Sequence, residues 1–390
     1  MAANRWFGTG SSTAADPAAA GREACRAALA GRPPGLLMVF ASPSHSTTGM
    51  AEAVHAAAGG HALMIGCSTS GEFSRTGRGQ GVVVCALGGD GFAVHTRAVP
   101  EGVMGLREAG MAAAECLDDV DREHRVLLLL GDGRSADQQE MVRGAYAVAG
   151  AGVPLIGACA GDGMTQTATR HFFSSGETVT VLTNAVLGAA IGSDAPFGVA
   201  MAHGWHKTGD PMVVTRSKGG EIFELDGERA LDVYLRHSGG GPELTADPEA
   251  FLRFATVRPL GLSRRTGEDV RIIFAADADQ GSISGLADTP EGAMVWHMAA
   301  DDAAVTSAAA MAGRAAVQAL DGAEPLGVLL FDCCVRLLAL GESGTDAANR
   351  ELGEVLGDVP YAGFYSNGEI VRTTGAKGMH HLTVAALALG

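Results

Sequence analysis

Residues 66–73 of the chain read GCSTSGEF, and a related segment, GFYSNGEI, occupies residues 363–370. Between them, residues 157–163 read GACAGDG, a third glycine-rich segment that carries an acidic residue. Each segment follows a short apolar run, which is typical of a strand buried on both faces. Because helix, strand, helix and strand precede each segment, we predict an α/β fold of three recurrent units, each delivering a glycine-rich turn.

Working outward from these turns gives the predicted elements. Asp16 can cap a helix that begins at Pro17 and ends near residue 30. The further predicted helices lie near residues 50–58, 104–119, 135–150, 228–237, 303–320 and 346–356. The predicted strands before the turns lie near residues 36–40, 62–65, 126–130, 154–156, 326–331 and 361–362. Residues 82–87 and 92–98 flank a glycine-rich connection and predict a β-hairpin.

The length of the chain predicts two domains. Single hydrophobic cores stop growing at about 250 to 300 residues, and this chain has 390. The glycine-rich segment 238–242 follows a predicted helix and is the best boundary signal. We therefore expect an N-terminal helix and lead-in over residues 1–34, a first domain over 35–237 and a second over 238–390, with mixed β-sheets covered by helices.

Charge and cysteine usage restrict the class of partner and the compartment. A formal net charge of −16 opposes binding to nucleic acid and to an anionic membrane surface. Seven cysteines without CxxC spacing favour a reduced compartment over a disulfide framework. Neither a signal-peptide pattern nor an apolar stretch of about 20 residues is visible, so we expect a cytoplasmic protein.

The three turns could together form a binding site for a small molecule. Small residues leave backbone N–H groups exposed, which can bind a carboxylate, and Glu72 could hold the ammonium group of the same amino-acid-like ligand. The candidate ligand-binding residues are Gly66, Ser68, Ser70, Gly71, Glu72, Gly161, Asp162, Arg336, Ser366, Asn367 and Glu369. The alternative is that the glycines and serines only form tight turns, with the acids capping them.

Arg336 follows a predicted buried strand and is the best cation for a ligand carboxylate. The alternative partner for this guanidinium is Asp332 of the same chain. Cys333 and Cys334 lie beside it and could be thiols of low pKa, or they could be small apolar filler.

Catalytic and metal-binding motifs are weak. The sequence has no GxSxG, no GxxxxGK[ST] and no GxGxxG following a strand, although Cys67 or Ser68 could serve as the nucleophile of a hydrolase or acyl transferase. His203 and His206 flank Trp205, and His203 alone could be an axial haem ligand, or an ordinary hydrogen-bonded histidine. We expect no catalytic residue, no metal and no required cofactor, with haem as the alternative.

Several segments, taken in order, resemble the FIST family of sensory domains. Residues 66–73 and 153–163 are similar to glycine-rich segments of the family's N-terminal domain. Residues 203–209, 213–215 and 224–227 resemble its middle part, and the C-terminal domain is matched by 259–260, 281–283, 291–292, 334–336 and 363–370. The resemblance spans residues 35 to about 385 and rests on the succession of the segments.

This resemblance implies intracellular sensing of a small ligand, with amino acids as the proposed class. Family members occur alongside signalling modules or separately encoded kinases and cyclic-dinucleotide enzymes, and some are described as haem proteins that sense nitric oxide. No stretch of this sequence is left over for an output module. We therefore expect ligand binding where the two domains meet, and signalling through a separate partner.

Overall fold

A computed structural model of the chain describes residues 4–100, 102, 104–135, 137–165, 167–264, 267–300, 302–373 and 378–390. Within these residues the helices are α1 (Pro17–Leu29), α2 (Thr48–Ala57), α3 (Leu106–Ala114), α4 (Gln138–Ala149), α5 (Ala230–Ser238), α6 (Pro248–Thr256), α7 (Asp302–Gln318) and α8 (Cys334–Leu356), with short 3-10 helices at Glu115–Asp119 and Pro242–Ala246. The strands are β1 (Trp6–Ser12), β2 (Leu36–Ala41), β3 (Leu63–Ser68), β4 (Glu72–Ser74), β5 (Gly77–Gly79), β6 (Val82–Gly88), β7 (Phe92–Pro100), β8 (His124–Asp132), β9 (Leu155–Ala160), β10 (His171–Ser175), β11 (Val179–Leu182), β12 (Ala185–Ser193), β13 (Phe197–Ala202), β14 (His206–Lys218), β15 (Glu221–Leu225), β16 (Glu228–Arg229), β17 (Leu260–Arg264), β18 (Gly267–Arg271), β19 (Ile273–Asp277), β20 (Ser282–Gly285), β21 (Met294–Ala299), β22 (Gly327–Cys333), β23 (Tyr361–Ser366), β24 (Glu369–Arg372), β25 (Met379–His380) and β26 (Val384–Leu389).

Three six-stranded mixed sheets repeat one arrangement and confirm the predicted α/β fold of three units. Their strand orders are β1-β6-β2-β3-β10-β11, β7-β12-β8-β9-β24-β25 and β13-β26-β22-β23-β4-β5. Each has a parallel pair near its centre, namely β2 with β3, β8 with β9, and β22 with β23. The helix between the two strands of each pair is α2, α4 or α8, as parallel neighbours require a crossover connection.

Each unit gives its last hairpin to a different sheet. Hairpin β4–β5, which follows the first parallel pair, joins the third sheet at β23. Hairpin β10–β11, which follows the second pair, joins the first sheet at β3. Strands β24 and β25, which follow the third pair, join the second sheet at β9. The exchange is cyclic, so none of these three sheets is complete without the residues of another unit.

A glycine at one equivalent position in each unit explains why the parallel strands fit together. A Cβ atom on Gly66 would lie 2.0 Å from the carbonyl oxygen of Val39 on the neighbouring strand. At Gly157 and Gly363 the corresponding distances, to the carbonyl oxygens of Leu129 and Leu330, are 1.9 and 2.2 Å. Real Cβ atoms do not approach other atoms this closely, so only glycine is compatible with this packing.

The cores explain the long apolar strands. One buried cluster draws on all three sheets and includes Phe40, Phe331 and Phe364. The ring centroids of these phenylalanines lie 4.5 to 6.4 Å apart, the spacing of favourable aromatic pairs. The outer faces pack against the helices, for example α1 and α2 on the first sheet. Both faces of the central strands are therefore buried, which accounts for their continuous apolar sequence.

An antiparallel sheet lies between β13 and α7 in the sequence. It has the order β18-β17-β21-β14-β15-β20-β19, with β16 paired to β15. Its core includes Val214, Tyr234 and Phe251, so it draws on both sides of residue 238. The predicted boundary between residues 237 and 238 falls at the end of α5 in this core, and the predicted division into domains stays a prediction.

The predicted hairpin over residues 82–98 is wrong. Both strands exist, but β6 pairs with β1 and β2, whereas β7 pairs with β12 of the second sheet. The glycine-rich connection crosses from one sheet to the next, and its Gly89, at φ 106°, packs against the carbonyl oxygen of Asn4. Glycine permits such a crossing as readily as a tight turn.

Candidate ligand-binding site

The three glycine-rich turns meet in the structure. We call them turn 1 (residues 66–72), turn 2 (157–163) and turn 3 (363–369). Equivalent backbone hydrogen bonds run from Ser70 N to Tyr365 O (2.8 Å), from Asn367 N to Cys159 O (3.1 Å) and from Gly161 N to Ser68 O (2.9 Å). Each turn thus donates to one neighbour and accepts from the other, which closes a ring that we call the turn ring.

Glu72 is buried behind this ring and bonded within the chain. Its carboxylate accepts hydrogen bonds from the hydroxyls of Ser42 (2.8 Å) and Thr69 and from the backbone N–H of Gly81 (3.0 Å). Burial raises its pKa to about 7, against the opposing effect of these hydrogen bonds. Near neutral pH, this side chain can therefore hold or release a proton.

Glu369 has the same environment in the third unit. Its carboxylate accepts from the hydroxyl of Ser366 (2.7 Å) and from the hydroxyl (2.9 Å) and backbone N–H (3.3 Å) of Thr383. Burial raises its pKa well above the usual range. In both turns the carboxylate accepts a hydrogen bond from the hydroxyl of the residue three positions earlier. An alignment of the two turns would therefore have identified Thr69 and Ser366 as the partners of the two acids.

The second unit differs from the other two. Gly163 occupies the position of the acid, and the carboxylate of Asp132, at the end of β8, accepts instead from Thr169 Oγ1 at 2.6 Å. Asp162, the predicted acid of turn 2, is fully buried. Its Oδ2 accepts from Thr167 N at 2.6 Å, while Oδ1 has no hydrogen-bond partner among the described residues. A buried acceptor without a donor is costly, so this oxygen has capacity for one further hydrogen bond.

Ser70 and Asn367 lie side by side on the turn ring. Ser70 Oγ is 3.4 Å from Asn367 Oδ1, which also accepts from Cys334 Sγ at 3.2 Å. Asn367 is half-buried, and its Nδ2 makes no hydrogen bond to the described part of the chain. The ring therefore presents an amide donor beside the hydroxyl of Ser70.

The remaining predicted residues have structural contacts. Gly66 packs against β2, Ser68 Oγ donates to Gly161 O at 2.7 Å, and Gly71 O accepts from Tyr365 N at 2.8 Å. The assignment of the eleven candidate residues to a ligand stays a prediction.

Arg336 makes its hydrogen bonds to residues outside the turn ring. It is fully buried, and its Nε donates to Asp332 at 2.7 Å, which is the alternative partner considered for it above. Its Nη2 donates to the carbonyl oxygen of Val305 at 3.0 Å. Burial raises the pKa of Asp332 even though Arg336 opposes the shift.

His203 is hydrogen-bonded within the chain. His203 Nδ1 accepts a hydrogen bond from Trp205 N at 3.0 Å, which puts the proton of the neutral ring on Nε2. An axial ligand needs an unprotonated nitrogen. Among the described residues, no group of three or more His, Cys, Asp or Glu side chains is placed to hold a metal ion. Haem binding stays a prediction, which the visible spectrum of the purified protein can test.

The two candidate nucleophiles are not activated. Cys67 is fully buried, and burial raises its pKa well above the usual range, with Glu72 and Asp132 adding to the shift. Ser68 Oγ donates a hydrogen bond to Gly161 O and accepts one from the backbone N–H of Arg170.

Burial likewise raises the pKa of the Cys333 thiol, so the predicted low-pKa thiol is not favoured there.

Fold and turns together define a three-unit α/β protein with an inserted antiparallel sheet and a ring of glycine-rich turns. The chain belongs to the FIST family, because the FIST N domain matches residues 35–228 and the FIST C domain matches residues 230–372. The family expected from the sequence is thereby confirmed. FIST domains are associated with sensory signal transduction.

The chain is also similar to two curated proteins of Mycobacterium tuberculosis. They are the uncharacterized proteins MT0656, of strain CDC 1551 / Oshkosh, and Rv0628c, of strain ATCC 25618 / H37Rv. Each is 29% identical over 246 residues, a match that covers 61% of this chain and 61% of the relative. In the described part of the chain, no helix has the length and apolarity that a membrane span requires.

Proposed function

We propose that this protein is an intracellular sensor that binds a small, amino-acid-like molecule at the turn ring and signals through a separate protein. The observation that carries the proposal is the Oδ1 of Asp162, which has no hydrogen-bond partner in the part of the chain that the structure describes and is buried where the three turns interlock. An ammonium group of the ligand would donate to this oxygen. The amide of Asn367 and the hydroxyl of Ser70 would face the ligand carboxylate.

The ring also supplies a route from ligand to signal. Its three backbone hydrogen bonds connect turns from all three units. A ligand that shifts one turn would therefore also shift the other two. Glu72 and Glu369 would act as buried supports of turns 1 and 3. The readout would be a separately encoded kinase or cyclic-dinucleotide enzyme in the cytoplasm, and neither nucleic acid nor a membrane is proposed as a partner.

We propose further that the protein performs no chemistry on its ligand. The inactive environments of Cys67 and Ser68 support this, as does the family association with sensing. Haem is the alternative cofactor, and purified protein with a Soret band would favour it.

A panel of amino acids tests the proposal by thermal shift and calorimetry. One ligand class should raise the melting temperature without turnover, and Asp162→Asn should weaken its binding about tenfold, because the carboxylate charge is lost. Asp118→Asn, at an exposed aspartate on the second unit, is the matched control and should bind as the native chain does. Unchanged binding in Asp162→Asn would refute the turn ring as the site.

A further inference from the structure

A groove of about 520 Å³ lies outside the turn ring, between the β4–β5 hairpin and α8. The hairpin belongs to the first unit and the helix to the third, so the groove forms where one unit gives strands to another. The lining residues that matter here are Arg75, Arg78, Asn349, Arg350, Glu354 and Tyr361. Its volume falls in the range of small-molecule sites.

The floor of the groove is polar and fixed. The hydroxyl of Tyr361 donates to the carbonyl oxygen of Asn349 at 3.1 Å, and Asn349 Nδ2 donates to Ser74 O at 3.2 Å. Gly353 keeps the floor open, since a Cβ atom there would approach the Tyr361 hydroxyl to 3.1 Å. The helix and the hairpin are thus joined beneath the groove while its upper part stays accessible.

Three guanidinium groups line the groove of a chain whose formal net charge is −16. Arg75 pairs with Asp358 at 3.3 Å and Arg78 with Asp346 at 3.2 Å. The two aspartates are 110% and 57% exposed at their side chains, and ion pairs at such exposure contribute little. Arg350 has no ion-pair partner among the described residues.

We propose that this groove binds a compact oxyanion of two or more negative charges, offered by phosphate or carboxylate groups. Guanidinium groups match the oxygens of both anions in paired hydrogen bonds. The ligand must displace Asp346 and Asp358 and lie near Glu354, so an anion with more charge than a single carboxylate is favoured. Bound there, it would clamp the hairpin of the first unit to the helix of the third.

Calorimetry and thermal shift with the full chain test this proposal, using orthophosphate, pyrophosphate and citrate against potassium chloride of equal ionic strength. At least one of the three anions should bind at about millimolar concentration or tighter and raise the melting temperature. Stronger binding of pyrophosphate would identify phosphate groups as the ligand chemistry, and stronger binding of citrate would identify carboxylates.

Arg350→Gln and Arg78→Gln should each weaken the binding about tenfold or more, whereas Arg350→Lys should lose less because it keeps the charge. Arg253→Gln, at an exposed arginine that pairs with Glu249 on α6, is the matched control and should bind normally. Melting of each variant without anion establishes that it is folded.

Two results would overturn the proposal. One is the absence of binding by all three anions to the native chain, and the other is equal binding by Arg350→Gln and the native chain. Asp162→Asn should leave anion binding intact, so the groove and the turn ring are tested separately.

Discussion

At the scale of the residue, Glu72 makes the stability of the fold depend on pH. Its pKa is about 7 in the folded chain, above the ordinary 4.5 that applies when the chain is unfolded. The folded state therefore holds the proton more tightly between these two values. The stability that this protonation contributes is fully present below pH 4.5 and is lost as the pH rises through 7.

Replacing this glutamate should remove that dependence. Between pH 4.5 and pH 8, the free energy of unfolding of the native chain should fall by about 3 kcal/mol relative to that of Glu72→Gln. Urea unfolding at both pH values measures the difference. Glu52→Gln, at an exposed glutamate on α2, controls for the loss of one carboxyl group. If the native chain and Glu72→Gln differed by the same free energy of unfolding at both pH values, the raised pKa of Glu72 would be contradicted.

The glycines within strands β3, β9 and β23 support a second prediction. Gly363→Ala should lower the free energy of unfolding by about 3 kcal/mol, because the new methyl group meets the carbonyl oxygen of Leu330 and the ring of Phe73. Gly49→Ala on α2, where a Cβ atom would have no described atom within 4 Å, should instead raise it by about 0.5 kcal/mol. Chemical denaturation of both variants checks the contrast, and equal effects would count against the close approach.

The residues of the site were visible in the sequence, but their roles were only partly so. The three-residue spacing of Thr69 with Glu72, and of Ser366 with Glu369, can be read from the sequence. Gly81 and Thr383 follow these acids by 9 and 14 residues, and no motif in the sequence links them to the acids. Burial of the two carboxylates, which decides their pKa, depends on that packing. That Asp162 Oδ1 has no partner among the described residues likewise depends on the fold.

At the scale of the element, α8 begins with a buried ion pair. Arg336 and Asp332 join the start of this helix to the end of β22, and Arg336 also contacts α7 through Val305. The helix is interrupted at Gly341, whose φ is 62°, so its first turns form a separate short segment held by this pair. The pair fixes the segment behind turn 3.

Breaking the pair should be costly. Arg336→Met leaves a buried carboxylate without its cation and should lower the free energy of unfolding by about 3 to 5 kcal/mol. Arg253→Met removes an exposed pair with Glu249 on α6 and should cost at most about 1 kcal/mol. Urea unfolding compares the two variants, and a loss below 1 kcal/mol in Arg336→Met would show that the pair is dispensable.

Helices and strands in long periodic or apolar segments could be predicted from the sequence. The strands with which each strand pairs could not. The cap of α1 is as expected, with Asp16 Oδ2 accepting from Ala19 N at 2.7 Å. Strand β1 and helix α6 were not predicted. Pairing of β4 with β23 joins segments about 290 residues apart, and no local pattern in either specifies the other.

At the scale of the whole molecule, cyclic exchange of hairpins should make unfolding of the three units cooperative. Amide hydrogens in the middle of β2, β8 and β22 should exchange with one common free energy of opening, because each sheet needs strands from another unit. Native-state hydrogen exchange with mass spectrometry measures this. Exchange from one of these strands through an opening several kcal/mol cheaper would show independent units instead.

The cyclic exchange has a consequence for the connectivity of the chain. Arg5 donates to the carbonyl oxygen of Gly390, and Gly390 N donates to Pro196 O at 3.0 Å, so Arg5 and Gly390 lie together at the link between β12 and β13. A circular permutant that joins residues 4 and 390 by a short linker and opens at residue 195 would keep every strand pairing. The architecture would thus be specified by the cyclic succession of its units, and opening the chain at this link would preserve that succession.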